Sequence, residues 1–166
     1  TARVVKRAVG GVFFIDEAYS LMGDNFGQEA TNTILPMLLD YKGKMVCIAA
    51  GYPREIRQWI DTNSGLESRF TKVIHFEDYN PDELAQIFRM KAKKDKLTLT
   101  PEAENAMRVY FTDLYNRRER NFANAREVNN YFDRVKKNQS SRLRHEMERP
   151  DFDPASYSIL LPEDMG

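Results

Sequence analysis

The chain has 166 residues, enough to bury one core, or one core with a small appendage. Apolar residues make up 42% and charged residues 30%, as in soluble globular proteins, and 25 basic residues balance 25 acidic ones, so no net field favours a nucleic acid or an anionic membrane. The single cysteine, Cys47, has no partner, which excludes a disulfide framework and fits a reducing, cytoplasmic setting, and no apolar run nears the ~18 residues of a membrane span.

Residues 1–9, "TARVVKRAV", read as the end of an amphipathic helix, with Val4, Val5 and Ala8 at helical spacing and no capping signal before them. A chain that opens in mid-helix is expected to be a piece of a longer one. "GVFFID" is a continuous apolar run of strand length, as in a central parallel strand buried on both faces. Residues 28–43 have helical spacing, with Ala30, Ile34, Met37 and Leu38 on one face and Gly43 as a stop. Pro36 costs about 3 kcal/mol inside a helix and predicts a kink or break there. "KMVCIAAGY" is a second strand, "REIRQWIDT" a short helix around Ile56, Trp59 and Ile60, "NSGLESRF" a loop and "TKVIHF" a third strand. This alternation predicts an α/β fold on a parallel sheet.

After Phe76 the alternation stops. Asn80 and Pro81 supply an N-cap and a first helical residue, and Leu84, Ile87 and Phe88 form the stripe behind them. Thr100 and Pro101 repeat that start, and a third, longer helix carries Val128, Phe132 and Val135 on one side. The predicted organisation is therefore an α/β part over residues 1–79, an all-helical part over 80–150 and an irregular tail over 151–166. No internal repeat or low-complexity segment interrupts it.

In open α/β sheets, ligands bind beyond the carboxyl ends of the strands, where Asp16 and Glu17 stand. An aspartate there can hold Mg²⁺, which keeps most of its water and takes one or two protein carboxylates. A neighbouring glutamate can polarise the water that attacks a terminal phosphate, worth about 10² to 10⁴ in rate. Alone, the pair reads equally well as a helix cap followed by a solvated charge.

"GGVFFIDEAYSL", "IAAGYPREI", "NSGLESRF" and "FANAREVNNYF", in this order and spacing, resemble the AAA+ ATPases of the branch holding red-type Rubisco activase and stage V sporulation protein K. The resemblance covers residues 1–147. It implies a P-loop NTPase core, incomplete at its N-terminal side, followed by a helical lid, with ATP and Mg²⁺ as cofactors. "FFIDEA" corresponds to the Walker B element, which gives Asp16 to the metal and Glu17 to the attacking water. "GLESRF" resembles the segment that supplies an arginine finger, so Arg69 would reach the neighbouring protomer's γ-phosphate. Seen by itself, Arg69 is a loop arginine paired with Glu67. "NAR" resembles the sensor 2 motif, in which Arg126 would reach the phosphates of its own subunit's nucleotide. The alternative is a helix-start arginine in the solvated basic group of Arg117, Arg118 and Arg120.

Tyr52 stands where many relatives outside this branch carry a sensor 1 asparagine, and it reads equally as an aromatic packed at a strand end. The phosphate loop "GxxxxGK[ST]" does not occur in the 166 residues, so this chain alone is expected to be inactive, and the intact protein an ATPase. The resemblance further implies a homo-hexameric ring that remodels a protein client of unknown identity. An ATP-gated scaffold and a DNA-directed AAA+ protein are the alternatives. The pair Asp16–Glu17 weighs against the first and the zero net charge against the second. His75 and His145 are too far apart in sequence to suggest a metal site.

Overall fold

The computed structural model describes residues 1–119 and 122–166, and the chain divides into two compact units, Thr1–Phe76 and Glu77–Gly166. In the first unit a short helix α1 (Ala2–Arg7) precedes strand β1 (Val12–Ile15). A 3₁₀ turn (Ala18–Met22), helix α2 (Asn25–Asp40), strand β2 (Val46–Ala49) and helices α3 (Pro53–Asp61) and α4 (Ser64–Glu67) follow. β1 and β2 pair in parallel, Val12 with Val46 through Ile15 with Ala49.

Helix α2 begins earlier than its apolar periodicity indicates, because Asp24 caps it by accepting from the Gly27 amide at 2.7 Å. Gly27 is required there: a Cβ would stand 2.4 Å from the Leu21 carbonyl oxygen of the preceding 3₁₀ turn. Pro36 does not break the helix, which continues to Asp40. Two apolar clusters meet on α2. Leu35 packs with Ala18, Trp59 and Leu66, while Ile34 and Met37 pack with Val5, Phe13 and Met45.

Two expectations are corrected in this unit. β1 and β2 are covered on one face only: Phe13, Ile15, Cys47 and Ala49 are half-buried, whereas Val12, Phe14, Val46 and Ile48 are 44% to 57% exposed. The apolar residues on both faces of each strand are therefore present without a second layer against them. Residues 71–76, expected as a third strand, form no ladder, and Val73, Ile74 and Phe76 are exposed. A strand needs a second strand to take up its amides and carbonyls, and among the described residues no ladder includes this segment.

The second unit is built on helices α5 (Pro81–Lys94), α6 (Pro101–Asn116) and α7 (Ala125–Glu146). Asn80 and Glu83 form a reciprocal capping box, the Glu83 amide donating to Asn80 Oδ1 at 3.0 Å and the Asn80 amide to Glu83 Oε2 at 2.9 Å. Thr100 caps α6 through the Ala103 amide. Phe88 is the hub of the core, its ring centroid 6.1, 5.5 and 5.2 Å from those of Phe111, Tyr131 and Phe132.

Residues 151–166, expected as an irregular tail, fold onto this core. Strand β3 (Thr98–Leu99) pairs in parallel with strand β4 (Ile159–Leu160), and Leu160 and Met165 are buried with Phe88 and Phe111. Arg142 of α7 fastens the tail: its Nε and Nη2 donate to the two carboxylate oxygens of Asp164, each at 2.9 Å, and Nη2 donates to the Ile159 carbonyl. The Gln139 amide donates to the carbonyls of Tyr157 and Ile159. The hydrogen bond to Asp164 raises the Arg142 pKa further above its already high ordinary value. Among the described residues, no helix is long and apolar enough to cross a membrane.

Candidate functional site

Three candidate residues of the first unit, Asp16, Glu17 and Tyr52, stand where β1 and β2 end. The ladder continues one step past both strands: the Ala50 amide donates to the Ile15 carbonyl at 2.8 Å and the Ala18 amide to the Ala50 carbonyl at 3.0 Å. These bonds hold Asp16–Glu17 alongside Ala50–Gly51 at one edge. Glu17 makes the corner. Its backbone is left-handed, φ 47° and ψ 49°, which costs a side-chain-bearing residue about 1–2 kcal/mol and turns the chain from strand into 3₁₀ turn. The Glu17 amide donates to Asp16 Oδ1 at 3.1 Å, leaving the remaining carboxylate lone pairs of Asp16 toward water, and both acids are exposed.

Tyr52 stands at the same edge as N-cap of α3, its ring 6.4 Å from that of Tyr19 at an interplanar angle of 33°. Between strand end and helix, Gly51 lies against the Tyr19 ring, where a Cβ would come within 2.9 Å of two ring carbons. Tyr19 is the residue that sequence reasoning missed. Partial burial, then the charge of Glu17 and a hydrogen bond to it, raise its hydroxyl pKa, with smaller contributions from Tyr52 and Glu55. Tyr19 thus stands within the electrostatic reach of the Glu17 carboxylate. The signal was present in "DEAYSL": a tyrosine two residues after the acid, on the 3₁₀ turn that the left-handed corner starts.

Asp16 and Glu17 fit a hydrated Mg²⁺ that needs one carboxylate from the protein. Among the described residues no group of three or more His, Cys, Asp or Glu side chains gathers into a site of its own.

Arg69 follows α4 and is half-buried. Its Nε donates to the Leu35 carbonyl at 3.0 Å, and its Nη1 to the Gly65 carbonyl at 2.9 Å and Ser68 Oγ at 3.1 Å. The pairing with Glu67 is not formed. Glu67 lies 3.7 Å from Arg57 instead. Arg126 is exposed in the first turn of α7, in the second unit. Of its basic neighbours, Arg117 donates to the Asp113 carbonyl, and Arg118 donates to the Tyr115 carbonyl and stacks on the Tyr115 ring. Arg120 lies outside the described residues.

A parallel strand pair ending in an acidic corner, followed by a capped helical bundle closed by its own C-terminal segment, is the arrangement of a particular protein class. Residues 80–166 match the family described as the AAA lid domain, and the chain belongs to the AAA+ proteins of the red-type Rubisco activase branch. It is 37% identical over 169 residues to Protein CbbX of Cereibacter sphaeroides, a match spanning 99% of this chain and 54% of that protein. It is 38% identical over 148 residues to the chloroplastic ribulose bisphosphate carboxylase/oxygenase activase of Cyanidioschyzon merolae, covering 86% of this chain and 50% of that one. To the ESX-1 secretion system protein EccA1 of Mycobacterium tuberculosis it is 43% identical over 109 residues, 62% of this chain and 19% of the other. The chain spans about half the length of the first two relatives.

Proposed function

We propose that this chain is part of an ATP-hydrolysing motor that remodels another protein and works as a homo-hexameric ring. The observation that carries this reading is the shared edge of β1 and β2, where Asp16 and Glu17 stand beside Tyr52 at the place an α/β sheet offers to a nucleotide. Relatives named for Rubisco activation and for ESX-1 secretion match 86% and 62% of this chain, so we assign it ATP chemistry that serves more than one client.

In this reading Asp16 holds the Mg²⁺ of the nucleotide, which would neutralise charge growing on the terminal phosphate. Glu17 orients and polarises the attacking water. Tyr52 lies close enough to the same edge to respond to the nucleotide. Arg69 serves the neighbouring protomer's site as a finger, and its hold on the Leu35 and Gly65 carbonyls is a resting position from which the guanidinium is released on assembly. Arg126 answers to the phosphates from the lid. The 166 residues by themselves, without a "GxxxxGK[ST]" segment, are catalytically silent.

The test uses the intact protein. Glu17→Gln retains ATP binding and loses turnover by about 10² or more. Arg69→Ala retains binding and ring assembly and loses about 10³ to 10⁵ in turnover. Steady-state phosphate release and equilibrium nucleotide binding, measured side by side, check both, and an unchanged rate in either variant removes the role given to that residue.

A further inference from the structure

Asn124 occupies the N-cap of α7, where an asparagine ordinarily turns its side chain onto the helix's own first amides. It does not do so here. Its carboxamide reaches back more than forty residues. Nδ2 donates to Asp78 Oδ1 at 2.8 Å, and Oδ1 accepts from the Tyr79 amide at 2.8 Å. Nδ2 also lies 3.3 Å from the Phe122 carbonyl. The backbone of Asn124 is held at φ 50° and ψ −122°, a conformation natural to glycine and strained for any side-chain-bearing residue. A strained asparagine that leaves its own helix uncapped to bind a distant segment has a task other than starting that helix.

The segment it binds opens the second unit, at the junction that follows Phe76. Glu77 begins that unit and Pro81 begins α5, so Asp78 and Tyr79 belong to the four residues that lead into its first helix. This stretch is pinned from both sides. Asp78 Oδ2 lies 3.6 Å from Arg118 Nε, and Asn80, directly after Tyr79, is locked in the capping box of α5. From Asn124 the connection runs on through the first turn of α7, where the Arg126 amide donates to the Ala123 carbonyl and the Glu127 amide to the Asn124 carbonyl.

We propose that Asn124 is a positioning residue that couples the junction to the start of α7, so that a change in the path of residues 78–79 is passed to the turn bearing Arg126. The inference rests on the sensor role proposed for Arg126 for its purpose, but not for its mechanics. The two-point grip, a donor to Asp78 and an acceptor for the Tyr79 amide, fixes direction as well as distance. That is what a lever needs and a simple cap does not.

The test is nuclear magnetic resonance on this 166-residue chain without nucleotide, measuring amide exchange at Tyr79 and backbone order at residues 78–79 and 125–127. Asn124→Gly keeps the unusual backbone available and removes the carboxamide. The expected result is about tenfold faster exchange at Tyr79, the share of one hydrogen bond, with order lost together at 78–79 and 125–127 and unchanged in α7 beyond Val128. Asp78→Ala removes the partner and leaves the backbone of Asn124 untouched, and is expected to loosen 125–127 as well. Loosening on one side only, or on neither, overturns the proposal. Because no nucleotide enters the readout, failure of the ATPase reading would appear in the Glu17 and Arg69 variants and not here.

Discussion

Cys47 shows how position within a strand decides the behaviour of one side chain. It lies on the covered face of β2, and burial pushes its thiol up to about 11. The neutral form is thus favoured, so reactivity stays low through neutral pH and rises only as pH approaches that value. At pH 8 the thiolate population is about two orders of magnitude below that of a free cysteine. Alkylation followed by mass spectrometry should be slower by that factor in the native chain and return to the ordinary rate in urea. Rapid native labelling would mean that β2 opens readily. The site residues follow the same logic of place. The place of Asp16, Glu17 and Tyr52 at the strand ends was legible because each follows an apolar run, and a run's end is visible in the sequence. Tyr19 was not, because its meaning depends on Glu17 adopting a left-handed backbone and on Gly51 leaving room for the ring, two facts that no spacing announces. The resting contacts of Arg69 were hidden for a similar reason, since their acceptors are backbone carbonyls and one of them lies 34 residues away.

Among elements, α5 and α6 were legible from their Asn80–Pro81 and Thr100–Pro101 starts, and both begin where those signals place them. The C-terminal segment was not. β3 and β4 have two residues each, too short to express a period, and their pairing depends on Arg142 and Gln139 of α7. The Arg142 and Asp164 side chains are almost fully buried, so removing one strands the other in a place without water. Arg142→Ala is expected to lower stability by about 3 kcal/mol in urea unfolding. The apolar double variant Arg142→Met with Asp164→Leu, which strands neither charge, should lose less than the single variant. If the single change costs under about 0.5 kcal/mol, the range of an uninvolved surface position, the fastening role is wrong. The expected strand over residues 71–76 failed for the opposite reason. Its composition suits a strand, but pairing is a property of two segments and composition describes one.

At the scale of the whole molecule, the two units differ in how fully they cover their apolar residues. The helical unit closes its core with its own last residues. The α/β unit leaves Val12, Phe14, Val46 and Ile48 on one open sheet face, and Val73, Ile74 and Phe76 are exposed as well. Exposed apolar residues in such number invite association. Sedimentation velocity should show this chain associating as its concentration rises, and Phe14→Lys with Ile48→Lys should return it to a monomer. An associating variant would place the sticky surface elsewhere. Trp59, the chain's single tryptophan, is buried in the α/β unit against Phe70, at a centroid distance of 5.5 Å. Its fluorescence therefore reports on that half alone, while circular dichroism is weighted toward the long helices of the other. Two instruments trained on one sample can thus tell, without any engineered label, which half of the chain lets go first.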